Sequence, residues 1–321
     1  MRSQFRITGR AKALKIWVNI VTNDDRSKAE SDAQTSRLNV LLSDAREIGC
    51  ENALRKHNHD VEYLTAEKRR SFLNLIKLGK SDDVLEIGSS MGQHSIHIAK
   101  QCRHLEAFEV VAGQAEFAKV WCEQSGAENV NITVGGVSGK LPYADSSFDV
   151  VIMNYVLEWC AGRSEIDADE FHRQYLTEIC RVLKPGGRLF LTTKNRYGLR
   201  LLTGSVDEHL GIRFGSALPR WLSHTLSRST EIEFPKGHLH SRKQLSAILS
   251  DAGFASAEAY LSFPDARWPD LIVPFDDDGM RALKDLDKSQ YSKKDQLFLG
   301  LPNGLKSGVA TSHTFVASKK A

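Results

Sequence analysis

Apolar residues recur in two alternating rhythms between about residues 80 and 195. Short runs rich in Val, Ile, Leu and Phe fall at Val84–Ile87, Leu105–Val110, Val130–Val134, Phe148–Met153 and Arg188–Thr193, the length of buried strands. Segments of helical period lie between them, at Gly92–Gln101, Gln114–Gln124 and Asp167–Leu183. The last sets Phe171, Tyr175, Leu176, Ile179, Val182 and Leu183 on one face. Strands alternating with helices predict a parallel sheet with right-handed crossovers, whose ligand sits at the carboxyl ends of the strands.

The flanks read differently. From about Gln34 to Leu78 the signal is helical; Thr65 is placed to cap a helix that carries Phe72, Leu73, Leu75, Ile76 and Leu78 and ends at Gly79. After Thr193 the period is lost: Asn195 to His240 is rich in Gly, Arg, His and Ser and too long for an ordinary connection, as functional lids are. Order returns at Ser241-Arg242-Lys243-Gln244, a capping box opening a helix that ends at Ala252-Gly253. Ala257–Phe263 reads as a strand, 276–308 as a polar excursion with at most short helices, and His313–Ser318 as the closing strand. The chain thus divides into a basic leader and linker (1–34, expected to be poorly ordered), a helical segment (35–80) and one α/β domain (81–321) with a lid at about 195–240.

Composition adds exclusions. The chain has 321 residues, 41% of them hydrophobic, and a net charge of +3, so nothing points to a nucleic-acid partner. No apolar run approaches the ~18 residues of a membrane span. Arg2, Arg6, Arg10, Lys12 and Lys15 make the N-terminus basic; a weak peripheral membrane contact or a transit peptide are its alternatives to an untethered leader. Five scattered cysteines without a Cys-x-x-Cys fit a reducing compartment, the cytoplasm, and no metal site is expected from them.

The candidate chemistry begins at Val84-Leu85-Glu86-Ile87-Gly88-Ser89-Ser90-Met91-Gly92, a strand that turns through small residues into a helix. Gly88 and Gly92 stand where a Cβ would obstruct the turn or a ligand. A dinucleotide fingerprint is incomplete, because Ser90 holds its middle position and no third glycine follows Gly92. Glu86 at the loop entrance suits a cationic amino-acid ligand better than a pyrophosphate, which it would repel. Glu109 lies about 20 residues beyond Gly88, the spacing at which an acid meets a ribose in nucleotide folds.

These landmarks, with Leu141-Pro142-Tyr143, Ser147-Phe148-Asp149-Val150-Val151, Arg181-Val182-Leu183-Lys184-Pro185-Gly186-Gly187 and Ala252-Gly253-Phe254, resemble the class I S-adenosylmethionine-dependent methyltransferases of the type 11 kind. The resemblance covers about residues 80–260 and the closing strand. It implies a Rossmann-like, seven-stranded, mostly parallel sheet with an antiparallel last strand, an N-terminal helical extension and a lid after the fifth strand. It also implies S-adenosyl-L-methionine as cofactor, held by Glu86, Gly88, Ser90, Gly92, Glu109, Ser138 and Asn154. There are two departures. Ser90 replaces the middle glycine, which is comfortable only with a negative φ. Val137 replaces an adenine-binding aspartate, so backbone N–H groups near Ser138 would have to read the ring edge. Asn154-Tyr155-Val156-Leu157-Glu158-Trp159, Asn195-Arg196-Tyr197-Gly198-Leu199, Asp207-Glu208-His209 and Phe263-Pro264-Asp265 resemble more narrowly a bacterial group associated with surface-polysaccharide and glycosyltransferase pathways.

The expected reaction is methyl transfer to a small-molecule or glycan acceptor, with oxygen as the target atom. His209 is the candidate base, backed by Asp207 or Glu208, because imidazole changes charge near neutrality and a carboxylate orients it. A solvated polar loop is the plain alternative. Arg196, Arg200, Arg213 and Arg220 in the lid suit an acidic acceptor or simple surface charge, and Trp159 a stacked ring or packing under the lid. His94 with His97, and His238 with His240, read as packing, cap or surface residues, and Lys184 as solvated. Two other functions compete: an NAD-dependent oxidoreductase, and a catalytically silent cofactor-binding protein of the same fold.

Overall fold

The structure, a computed structural model, describes residues 25–135, 139–164, 166–227 and 237–321. Five strands run parallel in the order β3 (Val130–Val134), β2 (His104–Glu109), β1 (Asp83–Ile87), β4 (Phe148–Asn154) and β5 (Leu183–Lys194). β8 (Ser312–Lys319) lies antiparallel against β5, and β6 (Phe254–Phe263) antiparallel against β8. The strand order reverses between β1 and β4, which opens a crevice above their carboxyl ends.

The sheet has eight strands where seven were expected. The addition is β7 (Leu271–Pro274), an antiparallel edge strand on β6 pairing Val273 with Leu261 and Ile272 with Ser262. Its apolar run is too short to signal a strand alone, and Pro274 suits an edge that needs no further partner. The excursion beyond it forms the short helices Asp277–Ala282, Lys293–Gly300 and Asn303–Val309. Met280, Leu283, Phe298 and Leu299 from this stretch close a small core over Leu261, Phe263 and Val273.

Two signature turns show why the strands sit where they do. Arg181 donates to Leu141 O and Tyr143 O and to Glu178, so the helix Ala168–Val182 grips the Leu-Pro-Tyr turn ahead of β4. Lys184, expected to be solvated, instead bonds Asp149 Oδ2 at 2.7 Å and Asp83 Oδ2 at 3.0 Å, pinning the starts of β1, β4 and β5.

The N-terminal helix runs Asp25–Ile48, through the part of the expected linker that is described. Leu38, Leu41, Ala45, Ala53, Leu54, Val61 and Leu64 pack with Met91, Ile96, Phe117 and Trp121, so the extension roofs the loop after β1. In place of one helix after Thr65 there are two separate turns, Glu67–Arg70 and Leu73–Ile76. The capping box at Ser241 and Gln244 is present, opening the helix Arg242–Asp251. No helix among the described residues is long and apolar enough to cross a membrane.

Candidate functional site

The loop after β1 is built from left-handed turns. Gly88 has φ +75° and Gly92 φ +85°. A Cβ on Gly88 would lie 2.4 Å from Val156 Cγ2, and one on Gly92 would lie 2.9 Å from Ala118 Cβ. Ser90 has φ +51°, the opposite of what its Cβ prefers. Its N–H donates to Glu109 Oε2 at 2.7 Å, and that buried charge-assisted bond holds the conformation. The turns continue to His94, so the helix expected from Gly92 is only Ser95–Ala99. Too short to develop a dipole, it leaves the loop to supply the polar groups.

Two buried acids stand beneath this loop. Glu86 accepts from Ser95 Oγ at 2.5 Å, and burial pushes its pKa up to about 8. In the unliganded protein it is therefore a neutral carboxyl at pH 7, not the standing charge expected. Glu109 accepts from Ser90 N and, at 2.9 Å, from Val111 N; burial raises its pKa against these bonds. Ser89 Oγ, Ser90 Oγ, Gln93 Oε1 and His94 Nδ1 are buried around the loop without a hydrogen-bond partner. Groups left so cost ~1–3 kcal/mol each until something satisfies them. Asn154 ends β4 beside Thr192 of β5. Val137 and Ser138 lie outside the described residues.

The lid meets the turn after β4, where Val156 approaches Gly88 and Trp159 packs near His209. Asn195 pairs with His240, and Arg196 N donates to His240 O at 3.0 Å, so the lid leaves and returns at one point. His209 is buried within it. Its Nδ1 lies 2.9 Å from Asp207 Oδ1, Ser216 Oγ donates to Asp207 Oδ2, and its ring centroid is 4.4 Å from that of Trp159. Its Nε2 is buried with no partner. Glu158 is fully buried, and burial raises its pKa. Glu208 does not join this pair. It bonds Lys194 Nζ at 2.5 Å and Arg267 at 3.0 Å; burial opposes its charge, but the two cations hold its pKa well below the carboxylate range.

The four lid arginines are spent on the protein itself. Arg196 donates to Ser216 O and Leu218 O, Arg213 to Gly204 O, Arg200 to Asp295, and Arg220 to Asp169. These bonds tie the lid to its own backbone and to Asp295 and Asp169. Sequence reasoning missed a different cation, Arg69. Its guanidinium lies 4.3 Å from the Tyr63 ring, Nε is buried without a partner, and no carboxylate among the described residues pairs with it. Burial lowers its pKa. In the run Lys68-Arg69-Arg70 nothing sets it apart from solvated neighbours. Tyr155, Asp265 and Arg267 were also unassigned: Tyr155 donates to Asp265 Oδ1 at 3.0 Å beneath the Arg267 guanidinium. His238 and His240 are buried, not on the surface.

A parallel sheet in this order, with a glycine turn after β1 and an acid at the end of β2, defines the class I methyltransferase architecture. Residues 85–191, which run from β1 into β5, match the methyltransferase domain family. Three curated relatives place that match. The biotin biosynthesis bifunctional protein BioHC of Cellvibrio japonicus is 30% identical over 133 residues, 41% of this chain and 22% of that protein. The malonyl-[acyl-carrier protein] O-methyltransferase of Methylococcus capsulatus is 30% identical over 112 residues, 34% of this chain and 36% of the other. Demethylmenaquinone methyltransferase of Mycolicibacterium vanbaalenii is 25% identical over 203 residues, 63% and 77%. The chain spans less than half the length of the first two. Among solved structures, phosphoethanolamine N-methyltransferase 2 of Haemonchus contortus, bound to phosphomonomethylethanolamine and S-adenosylhomocysteine, shares the fold. It has a TM-score of 0.50, 16% identity, and coverage of 86% of this chain and 59% of that one.

Proposed function

We propose that this protein transfers a methyl group from S-adenosyl-L-methionine to an oxygen of a small-molecule acceptor, a glycan hydroxyl included, in the crevice between the β1 loop and the lid. One observation carries the reading: a buried imidazole whose Nδ1 is held by Asp207 and whose Nε2 has no partner. A carboxylate can only accept, so the Nδ1–H donates to Asp207, and in the neutral ring Nε2 is the atom that can take a proton.

The loop fits the cofactor. Its unpartnered Ser89, Ser90, Gln93 and His94 groups suit a ligand rich in hydroxyls and charged ends, and Glu109 has lone pairs left for a ribose diol. Arg69 supplies the missing partner for a carboxylate at the amino-acid end. When bound, S-adenosylmethionine brings an already activated methyl group, so the protein need only position the partners and manage one proton. His209 Nε2 takes the proton that the acceptor hydroxyl sheds as its oxygen gains the methyl carbon. Glu158, buried beside it, accepts a second acceptor hydroxyl or steadies the imidazolium. The relatives named above, acting on malonyl-[acyl-carrier protein] and demethylmenaquinone by their names, favour a small molecule. The five cysteines are unpaired, which supports a cytoplasmic setting.

Calorimetry with S-adenosylmethionine, S-adenosylhomocysteine and NAD tests the cofactor, followed by labelled-methyl transfer to panels of hydroxyl, carboxylate and amine acceptors. Binding of S-adenosylhomocysteine with transfer to a hydroxyl or carboxylate is expected. Binding of NAD alone would refute the reading.

A further inference from the structure

Behind the lid, three imidazoles and a carboxylate meet where the chain returns to the sheet. Asp169 lies in the first turn of the helix Ala168–Val182 and His172 follows on its buried side; His238 and His240 precede the Ser241 cap. Asp169 Oδ1 is 2.7 Å from His238 Nε2 and 3.5 Å from His240 Nδ1, and the three ligand atoms fall within 4.8 Å of one another. His240 Nε2 lies 2.7 Å from His172 Nδ1. One ring nitrogen, His240 Nδ1, is buried with no hydrogen-bond partner.

We propose that Asp169, His238 and His240 bind one divalent first-row transition ion, Zn²⁺ in the test below, with His172 fixing the His240 ring. Two imidazoles and a carboxylate are a set that such ions take, leaving one position for water. With Nδ1 on the metal, His240 would donate Nε2–H to His172, the outer bond that metal-bound imidazoles regularly make.

Arg220 holds this place in the structure. Its guanidinium is 3.1 Å from Asp169 Oδ1 and 2.7 Å from His238 Nδ1. The side chain is 30% exposed at the start of the helix Arg220–Ser227, so it can withdraw to solvent when an ion enters. The cluster lies outside the residues assigned to methyl transfer yet touches them from behind. His238 N donates to Glu158 O at 2.7 Å, and a Cβ on Gly237 would lie 2.4 Å from His209 Cδ2. An ion here would clamp Gly237–His240 to the helix Ala168–Val182 and hold the wall on which His209 rests.

The experiment strips the full chain with a chelator, adds zinc chloride, desalts, and measures bound zinc and thermal unfolding; Co²⁺ serves as a spectroscopic stand-in. One retained equivalent and a raised melting temperature are expected, with a Co²⁺ visible spectrum of nitrogen and oxygen ligation. Asp169→Asn with His240→Ala should lose that equivalent, and His172→Gln should weaken it ~10–100-fold. Arg220→Ala should bind more tightly, because the competing cation is gone. If the native chain and Arg220→Ala both come out metal-free, the proposal fails. It fails equally if the double variant keeps its equivalent, which would place the ion on the free cysteines.

Discussion

Across one crevice, two walls handle buried charge in opposite ways. On the loop wall, Glu86 and Glu109 meet only a hydroxyl and backbone N–H groups, and burial pushes both pKa values up. On the lid wall, Glu208 sits against Lys194 and Arg267, which hold its pKa down. No cation pairs with the loop-wall acids among the described residues, whereas the charge of Glu208 is matched. On the proposed reading the loop binds and the lid reacts, and substitutions can test each half.

His209→Ala should give the largest effect. Losing a positioned base lowers turnover by roughly 10²–10⁴-fold. Affinity for S-adenosylhomocysteine should stay near that of the native protein, since the loop wall is untouched. A variant with native turnover removes His209 from the reaction, and one that loses only cofactor affinity turns the lid into a cofactor cover.

Glu86→Gln sharpens the other half through pH. Glu86 titrates near 8 in the folded chain against 4.5 for the free group, so between those values the folded state holds a proton that the unfolded state has lost. Stability must then fall as pH rises through this window, by on the order of 5 kcal/mol in all. Gln cannot titrate and should abolish that loss. Denaturation curves for native and variant protein should nearly coincide at about pH 5 and separate by about pH 8, with the variant more stable. Parallel behaviour across the window would mean that the carboxyl is not held neutral.

Gly88→Val should act locally and more weakly. Its side chain would meet Val156 at the top of the crevice and force a β-branched residue to φ +75°. A strain of ~1–3 kcal/mol is expected, with S-adenosylhomocysteine binding lost and lid contacts kept. Gly88→Val with Val156→Ala relieves the contact but not the backbone, so only part of the affinity should return. Native binding by Gly88→Val would show that the ligand lies elsewhere.

The same contrast explains what could be read from the sequence. The loop wall is written in neighbouring residues: Glu86, Gly88 and Gly92 fall within one short stretch, and Glu109 follows at a spacing set by one crossover. The order β3-β2-β1-β4-β5 was legible for that reason. The lid wall is assembled from far apart. Glu208 finds Arg267 and Tyr155 finds Asp265, pairings that no local pattern records, just as none records that Arg69 reaches the loop side from the N-terminal extension. The lid arginines misled because their charge is visible in sequence while the carbonyls they satisfy are not. β7 was missed because Leu271–Pro274 becomes a strand only through pairing with β6.

Ser90→Gly is the smallest of these tests and probes the loop wall most finely. Ser90 stands at φ +51°, where an L-residue pays ~1–2 kcal/mol. Glycine removes that strain but adds ~0.5–1 kcal/mol of chain entropy lost on folding. The buried, unpartnered hydroxyl goes with the serine, so the net should be a gain in unliganded stability of up to ~1 kcal/mol. Binding should move the other way. If the hydroxyl waits for the ligand, its removal takes one hydrogen bond from the complex and weakens S-adenosylhomocysteine by ~0.5–1.5 kcal/mol. Denaturation and calorimetry on the same variant read the two signs separately. Stability and affinity rising together would mean that Ser90 is mere strain in the loop. Opposite signs would mean that the serine was kept for the ligand, at a position where glycine folds better.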